Sequence, residues 1–162
     1  MIAEHGLWLD SAGLEGRRLE ESHLDWRGRA LSRARLCQAV LPGASLDGAR
    51  LDGADLYAAF LHSASLVGSD LRGAVLVRSE LDGADLTEAD LSGASLSGAC
   101  VSGACLRRAN LTAADLSGAD LSRSDLEAAC LRQARLDRAL FQDTRLDQAD
   151  LTGCTGLATA QV

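Results

Sequence analysis

The hydrophobic pattern of this chain repeats every five residues. Leucine occupies each fifth position from Leu31 to Leu151, except at Val101 and Phe141. An α-helix has a period of about 3.6 residues, so leucines five apart would scatter around its axis and form no buried stripe. In a flat strand the side chains alternate between two faces, so an odd spacing would put successive leucines on opposite sides. The leucines can therefore share one core only if the chain turns once in every repeat.

Each repeat also contains a small residue two positions before the leucine. From residue 34 to residue 149 this residue is Ala in 20 of 24 repeats. Residues two apart in an extended stretch point to the same side, so the small residue and the leucine face inward and the residue between them faces outward. The other two residues form a corner, and most of the 16 glycines take its second position, where a positive φ favours Gly. The pattern indicates a solenoid in which each coil buries its edge against the next.

The repeats resemble those of the pentapeptide-repeat proteins. Ala-Asp-Leu-Thr-Glu at residues 84–88 and Ala-Asn-Leu at residues 109–111 are examples, and the resemblance covers about residues 26–153. It implies an all-β fold, a right-handed quadrilateral β-helix with four pentapeptide repeats in each coil. About six coils, stacked at roughly 4.8 Å, would then form a rod about 30 Å long.

The register of the leucines divides the chain into three segments. Residues 26–153 are expected to form the regular β-helix, and residues 154–162 a C-terminal tail or cap. Residues 1–25 are interpreted as an N-terminal cap and a degenerate first coil, because a period of five in a different register is kept there by Leu9, Leu14, Leu19 and Leu24.

Outward apolar residues concentrate in the N-terminal half of the predicted rod. With four repeats per coil, Val40 and Phe60 share one face, and Tyr57, Val75 and Val77 share the adjoining face. Contiguous exposed apolar surface often marks an interaction site, although single apolar residues are also common on protein surfaces. These five residues form the predicted interface with a protein partner or with a second copy of the chain.

The acidic charge lies in the middle of the chain. The net charge is −7, and residues 51–130, with twelve acids and five arginines, account for all of it. Such a chain does not attract a phosphate backbone, so no direct contact with nucleic acid is expected. The acids either serve solubility or imitate the charge of nucleic acid. The candidate residues for such imitation are Asp70, Asp85, Asp90, Asp115, Asp120 and Asp125.

No residue pattern predicts catalysis, a metal site or a cofactor. His5, His23 and His62 have no metal-binding or catalytic-triad spacing, and the five cysteines form no zinc motif. No apolar run approaches the roughly 18 residues of a membrane span, and the N-terminus does not resemble a signal peptide. We therefore expect a cytoplasmic protein with reduced thiols and no membrane contact.

The resemblance implies a function in binding. It points to a non-enzymatic scaffold or adaptor that presents flat β-helix faces to a protein partner. One branch of the family implies an alternative, in which the rod mimics DNA and binds DNA gyrase or another type II topoisomerase, giving protection against antibiotics or toxins. A homodimer through one end of the rod is a further expectation, and the sequence does not identify the partner.

Overall fold

The computed structural model describes residues 1–12 and 16–161. The chain begins with one α-helix, α1 (Ile2–Asp10), and residues 20–161 wind into a solenoid of short turns. No helix in the described part of the chain is long and apolar enough to cross a membrane.

Parallel β-bridges join each coil of the solenoid to the next. They link residues 20 apart whose numbers are divisible by five, from the pair Glu20 and Val40 to the pair Arg135 and Thr155. A last bridge joins Leu140 to Gln161. Only one residue per repeat pairs in this way, so between residues 16 and 161 the ladder consists of isolated bridges and no longer strand. The β-helix predicted from the sequence is present, and one coil comprises 20 residues.

The bridging residues form four columns that run along the rod. Each column is named here after one of its members, as the Asp55, Asp70, Asp85 and Val40 columns. The Val40 column consists of Glu20, Val40, Phe60, Glu80, Cys100, Asp120 and Leu140, and Leu140 pairs in turn with Gln161.

Leucine and alanine side chains fill the interior. Between Leu36 and Leu136, each side chain at a leucine position is at most 1% exposed, and the intervening alanines are equally buried. Full burial of one leucine side chain contributes about 1.5–3 kcal/mol relative to exposure. This apolar column is therefore the main stabilising feature of the fold.

Three buried serines replace alanine in this interior. The hydroxyls of Ser79 and Ser124 donate to the carbonyl oxygens of Leu76 and Leu121 at 2.8 and 2.5 Å. The Ser69 hydroxyl is equally buried and has no hydrogen-bond partner within the described residues. Ser69 is therefore a local defect in the core.

In most repeats of the inner coils, the amide at the first corner position has no backbone acceptor. In the repeat 85–89, the amides of four residues donate to backbone carbonyls of the same or adjoining coils, namely Asp85, Leu86, Glu88 and Ala89. The amide of Thr87, at the first corner position, donates instead to Oδ1 of Asp85 at 2.9 Å. Aspartate before the leucine thus satisfies the one donor that the ladder leaves free.

The second corner position has a positive φ in every regular repeat, with or without glycine. Gly93 has φ +66°, and Ala113 has φ +57°. The left-handed region disfavours residues with a Cβ atom, which explains why glycine is the commonest residue at this position.

The N-terminal segment differs from the predicted arrangement. Leu9 lies in α1 and not in a degenerate coil, and Leu14 lies outside the described residues. Glu20 and Asp25 already form bridges to the second coil, so the first coil has the same register as all later coils. The predicted register shift is therefore wrong, and the ladder begins before residue 26.

The apparent shift arises because, in the first coil, leucines occupy the positions that hold alanine in the later coils. Leu19 and Leu24 occupy alanine positions, while Trp26 occupies a leucine position and is 7% exposed. On its outer side this coil meets α1 and not another coil, and Ile2 of α1 packs against the core. Larger side chains can therefore fit at this end.

The C-terminal coil is less well covered. Thr155 and Gln161 continue the ladder, but Leu146, Leu151 and Cys154 are only partly buried. Within residues 16–161 no further coil or helix lies over them. The two ends of the rod therefore differ, since α1 packs only against the N-terminal end.

Candidate functional site

His5 fastens α1 to the solenoid. Its imidazole is fully buried, with Nε2 2.9 Å from the carbonyl oxygen of Cys37. The amide of Leu19 donates to Nδ1 at 3.1 Å, which assigns the ring proton to Nε2 in the neutral imidazole. Burial lowers the pKa of His5, and the positive charges of Arg18 and Arg35 lower it further. The helix is therefore docked through an uncharged histidine.

Two arginines outside α1, Arg18 and Arg35, also contact its side chains. Arg35 forms an ion pair with Asp10, with Nη2 and Oδ1 2.7 Å apart. Nε of Arg18 donates to the carbonyl oxygen of Gln38 at 2.7 Å. The guanidinium carbon of Arg18 lies 5.8 Å from the centroid of Trp8, within cation–π range. These contacts place α1 beside the first coil.

The predicted apolar interface occupies two adjoining columns and the corner between them. Val40 and Phe60 are bridge partners in the Val40 column, and Val75 lies in the Asp55 column. Tyr57 and Val77 occupy stacked corners, which are joined by a hydrogen bond of 2.9 Å from the amide of residue 58 to the carbonyl of Val77. Val75 is 38% exposed, and the other four are partly buried. The structure thus brings the five residues to one region of the rod.

The N-terminal segment covers part of this region. The guanidinium carbon of Arg18 lies 5.5 Å from the ring centroid of Phe60, and the ring centroids of Phe60 and His62 are 6.5 Å apart. Sequence reasoning missed Arg18, because the period of five does not indicate which later residues the side chains of the N-terminal segment contact. Phe60 is therefore already in contact with a cation from its own chain.

The six candidate acids all have a structural role at the corners. The Oδ1 atom of each accepts the amide of the residue two positions later, at distances from 2.9 to 3.2 Å. Asn110 accepts the amide of Thr112 in the same way at 3.1 Å, so an asparagine can replace aspartate in this contact. The six residues are Asp70, Asp85, Asp90, Asp115, Asp120 and Asp125. Their position in the repeat is thus explained by backbone satisfaction, whatever else they do.

Arginines neutralise half of these acids. Asp70 pairs with Arg72, with Oδ2 and Nη2 2.6 Å apart, and the hydrogen bond from Arg72 lowers the pKa of Asp70. Asp115 pairs with Arg135 at 3.4 Å, and Asp125 with Arg145 at 2.9 Å. The ion pairs found in residues 16–161 do not include Asp85, Asp90 or Asp120. The six acids therefore do not form a continuous negative surface.

The middle of the Val40 column has a different environment. Nε2 of His62 lies 2.6 Å from Oε2 of Glu80, and its Nδ1 lies 3.5 Å from Oδ2 of Asp82. Cys100, between Glu80 and Asp120 in the column, is exposed. Burial of part of its side chain raises the pKa of the Cys100 thiol, and the charges of Asp82, Glu80 and Asp120 raise it further. The face around Cys100 therefore has a negative potential.

The described residues contain no group of three or more His, Cys, Asp or Glu side chains that could hold a metal ion. All five cysteines are free thiols in the structure. Between residues 16 and 161 the interior offers no cavity for a cofactor, because leucine and alanine fill each coil.

The pentapeptide-repeat pattern is matched by a family profile described as Pentapeptide repeats, with eight copies. The matched segments overlap and cover residues 31–66, 64–103, 89–127, 104–143 and 119–155. No curated protein matches the chain significantly.

Several solved structures are similar to this chain. HetL, a pentapeptide repeat protein involved in heterocyst differentiation regulation from the cyanobacterium Nostoc sp. strain PCC 7120, is 27% identical with a TM-score of 0.48, over 99% of this chain and 92% of that one. QnrB1, a plasmid-mediated fluoroquinolone resistance protein, is 19% identical with a TM-score of 0.46, over 85% of this chain and 72% of that one. A pentapeptide repeat protein from the cyanobacterium Cyanothece 51142 is 23% identical with a TM-score of 0.43, over 88% and 90%.

Proposed function

Because this chain belongs to the pentapeptide-repeat family, we propose that it is a non-enzymatic rod that binds a protein partner through its outer faces. The observation that carries this proposal is the division between inward and outward positions. The interior is occupied by leucine and alanine throughout the regular coils, whereas the outward bridge positions carry acids, arginines, serines and apolar residues. Only the outward positions are free to vary, so recognition must reside there.

We also infer that the coil is right-handed and quadrilateral. The support is the two-residue corner that occurs four times in each 20-residue coil, together with the family to which the chain belongs. Four nearly flat sides give the rod distinct faces, and a partner can then recognise one face or two adjoining faces.

The predicted interface of Val40, Tyr57, Phe60, Val75 and Val77 is our candidate for the binding face. Its support is the contiguity of these residues in the second and third coils and the exposure of Val75. Aromatic anchors such as Tyr57 and Phe60 contribute disproportionately to binding at protein interfaces.

Site-specific photo-crosslinking tests the binding function. A photoreactive amino acid is placed at one outward position of each column, namely Phe60, Ser95, Asn110 or Asp125, in the full chain expressed in its host. We expect crosslinking of the same partner at Phe60, or at both Phe60 and Ser95, and no crosslinking at Asn110 or Asp125. Capture from none of the four, or equal capture from all, would contradict the proposal.

A second candidate function is DNA mimicry toward DNA gyrase or another type II topoisomerase. The observation that favours it is the absence of arginine partners, within residues 16–161, at Asp85, Asp90 and Asp120. The purified chain should then inhibit DNA supercoiling by gyrase, and the inhibition should weaken steeply with salt.

The matched variants for this assay are asparagines, which keep the corner hydrogen bond seen at Asn110 and remove only charge. The triple variant Asp85→Asn, Asp90→Asn, Asp120→Asn should lose inhibition while keeping its fold. A wild-type chain that leaves supercoiling unchanged at high excess would exclude this second function and leave the first intact.

The C-terminal end is our candidate for self-association. Leu146, Leu151 and Cys154 are partly exposed there, in contrast to the buried leucines of the inner coils. Stacking against a second copy would bury them. Sedimentation of the wild type and of Leu146→Glu, which should be monomeric, tests this arrangement.

A further inference from the structure

The Val40 column is the one column of bridge positions, among the described residues, without arginine. Arg50 lies in the Asp70 column, Arg35 and Arg135 in the Asp55 column, and Arg145 in the Asp85 column. The Val40 column instead combines acids with apolar residues: Glu20, Val40, Phe60, Glu80, Cys100, Asp120 and Leu140. One face of the rod is thus both negative and partly apolar.

The acids in the middle of this face have no arginine partner within the described residues. Glu80 and Asp82 contact the imidazole of His62 and no arginine, and Asp120 has no ion pair in the described part of the chain. Cys100 lies between Glu80 and Asp120 in the column, and the pKa of its thiol is raised first by burial and then by the charges of Asp82, Glu80 and Asp120. A cation from outside the chain would therefore be attracted to the middle of the face.

One end of the face already holds a guanidinium. Arg18 lies over the ring of Phe60 at 5.5 Å, and Nη1 of Arg18 is 3.5 Å from Oε1 of Glu20. Arg18 therefore shows, within the chain itself, the chemistry that this face accepts: a planar cation against an aromatic ring, flanked by a carboxylate.

We propose that the Val40 column binds an extended, arginine-bearing segment of a partner protein, and that Arg18 occupies the Phe60 subsite until the partner displaces it. This inference rests on the proposed function in binding and assigns the partner's chemistry. The segment presents one arginine to Phe60 and a second to Asp120.

The geometry of the column sets the spacing of the two arginines. Phe60 and Asp120 are three coils apart, which corresponds to about 14 Å at roughly 4.8 Å per coil. In an extended segment, residues four apart point to the same side and are also about 14 Å apart. Arginines at positions i and i+4 of the segment therefore match the two subsites.

The probe is the peptide Ser-Arg-Ser-Gly-Ser-Arg-Ser, which is titrated into the isotope-labelled full chain at low salt and followed by NMR. We expect shifts in the backbone amides along the Val40 column, at residues 60–62, 80–82, 100–102 and 120–122. A peptide of the same composition with adjacent arginines, and the lysine version of the probe, should bind more weakly.

Variants on two faces separate specific binding from general attraction by an acidic protein. Glu80→Gln with Asp120→Asn should weaken probe binding about threefold or more, whereas Asp85→Asn with Asp90→Asn makes the same change in net charge on other columns and should have little effect. Equal weakening by both pairs would overturn the proposal, because it would show a non-specific electrostatic interaction.

Substitution of Arg18 should give a result that only this proposal predicts. Arg18→Gln vacates the Phe60 ring and should tighten probe binding about twofold to fivefold. Adding Phe60→Leu should cancel that gain, since an aliphatic side chain offers no ring face to a cation. Unchanged affinity in Arg18→Gln would contradict the displacement of Arg18. If crosslinking captures a partner while the probe fails to bind, the arginine-binding face alone is wrong and the general binding function stands.

Discussion

The imidazole of His5 and the carbonyl oxygen of Cys37 are joined by a hydrogen bond of 2.9 Å across 32 residues of sequence. The contact is fully buried at His5, and the opposite ring nitrogen accepts the amide of Leu19. A protonated ring would carry a hydrogen on both nitrogens, so it would turn the Leu19 contact into a repulsion between two donors. The docking of α1 therefore requires the neutral form.

We expect the docking of α1 to weaken in mild acid. The pKa of His5 is lowered in the folded chain, chiefly by burial, so the unfolded state binds more protons between that pKa and the ordinary value of 6.5. The stabilisation is fully present above about pH 6.5 and is lost as the pH falls through the folded-state pKa. Hydrogen exchange of the α1 amides, compared at pH 7.5 and pH 5.5, measures the effect.

Two variants identify the responsible group. The pH dependence of α1 exchange should disappear in His5→Gln and persist in His62→Gln, whose imidazole lies on the solenoid surface. Asp10, which anchors the other end of α1, has a lowered pKa because of its hydrogen bond with Arg35, so it stays ionised in this pH range. A pH effect that survives in His5→Gln would show that another group is responsible.

Ser69→Ala should stabilise the chain by about 1 kcal/mol. The Ser69 hydroxyl is buried without a partner within the described residues, and an unpaired buried hydroxyl is unfavourable by about 1–3 kcal/mol. Alanine already fills the equivalent position in most repeats, so the change introduces no strain. Denaturant unfolding measures the difference.

Ser79→Ala is the control for this prediction. The Ser79 hydroxyl donates to the carbonyl of Leu76, so its removal should be neutral or destabilising by up to about 1 kcal/mol. A stabilisation of equal size in both variants would indicate a general preference for alanine and not the relief of an unpaired hydroxyl.

Asp120→Ala should destabilise the chain by about 1 kcal/mol, whereas Asp120→Asn should cost much less. The carboxylate of Asp120 accepts the amide of Ser122 at 2.9 Å and forms no ion pair in the described part of the chain, so alanine removes only the corner hydrogen bond. Asparagine preserves it, as Asn110 does with Thr112. Thermal unfolding of the two variants compares these losses, and equal losses would show that charge matters more than the hydrogen bond.

Ala113→Gly should stabilise the chain by about 1 kcal/mol, although glycine usually destabilises a regular element. Ala113 has φ +57°, where a residue with a Cβ atom is unfavourable by roughly 1–2 kcal/mol and glycine is not. Ala114→Gly, one residue later, should be destabilising, because Ala114 is fully buried in the core. Chemical unfolding should therefore shift in opposite directions for two neighbouring Ala→Gly changes.

The core of the rod could be predicted from the sequence because its constraint is local and repeated. A leucine at every fifth position has one arrangement in which all leucines are buried, and the leucines from Leu36 to Leu136 are indeed at most 1% exposed. The roles of Asp85 and Asp120 at the corners were not predicted, since a carboxylate beside a leucine can face solvent without any contact. The corner amide that needs this acceptor can be identified only from the backbone hydrogen bonds of the folded chain.

The N-terminal end could not be predicted from the period alone. Leu19 and Leu24 are five apart in either register, so the spacing does not reveal that they occupy alanine positions. The exchange is possible only because α1 lies over this coil, and the pairing of His5 with Cys37 is set by tertiary packing and not by any repeat. The contact of Arg18 with Phe60 is of the same kind.

The ladder of residues 20 apart makes the rod sensitive to insertions in an unusual way. An insertion of five residues would leave every leucine and alanine in its proper place, so the core would remain complete, yet each later side chain would move to the adjoining column. An insertion between Phe60 and Asp120 would thus remove Asp120 from the face that carries Phe60. An insertion of 20 residues would keep both on one face and separate them by about 4.8 Å more. Gene duplication in units of four repeats can therefore lengthen such a rod without altering its binding face, whereas a single repeat gained or lost changes the partner while the protein still folds.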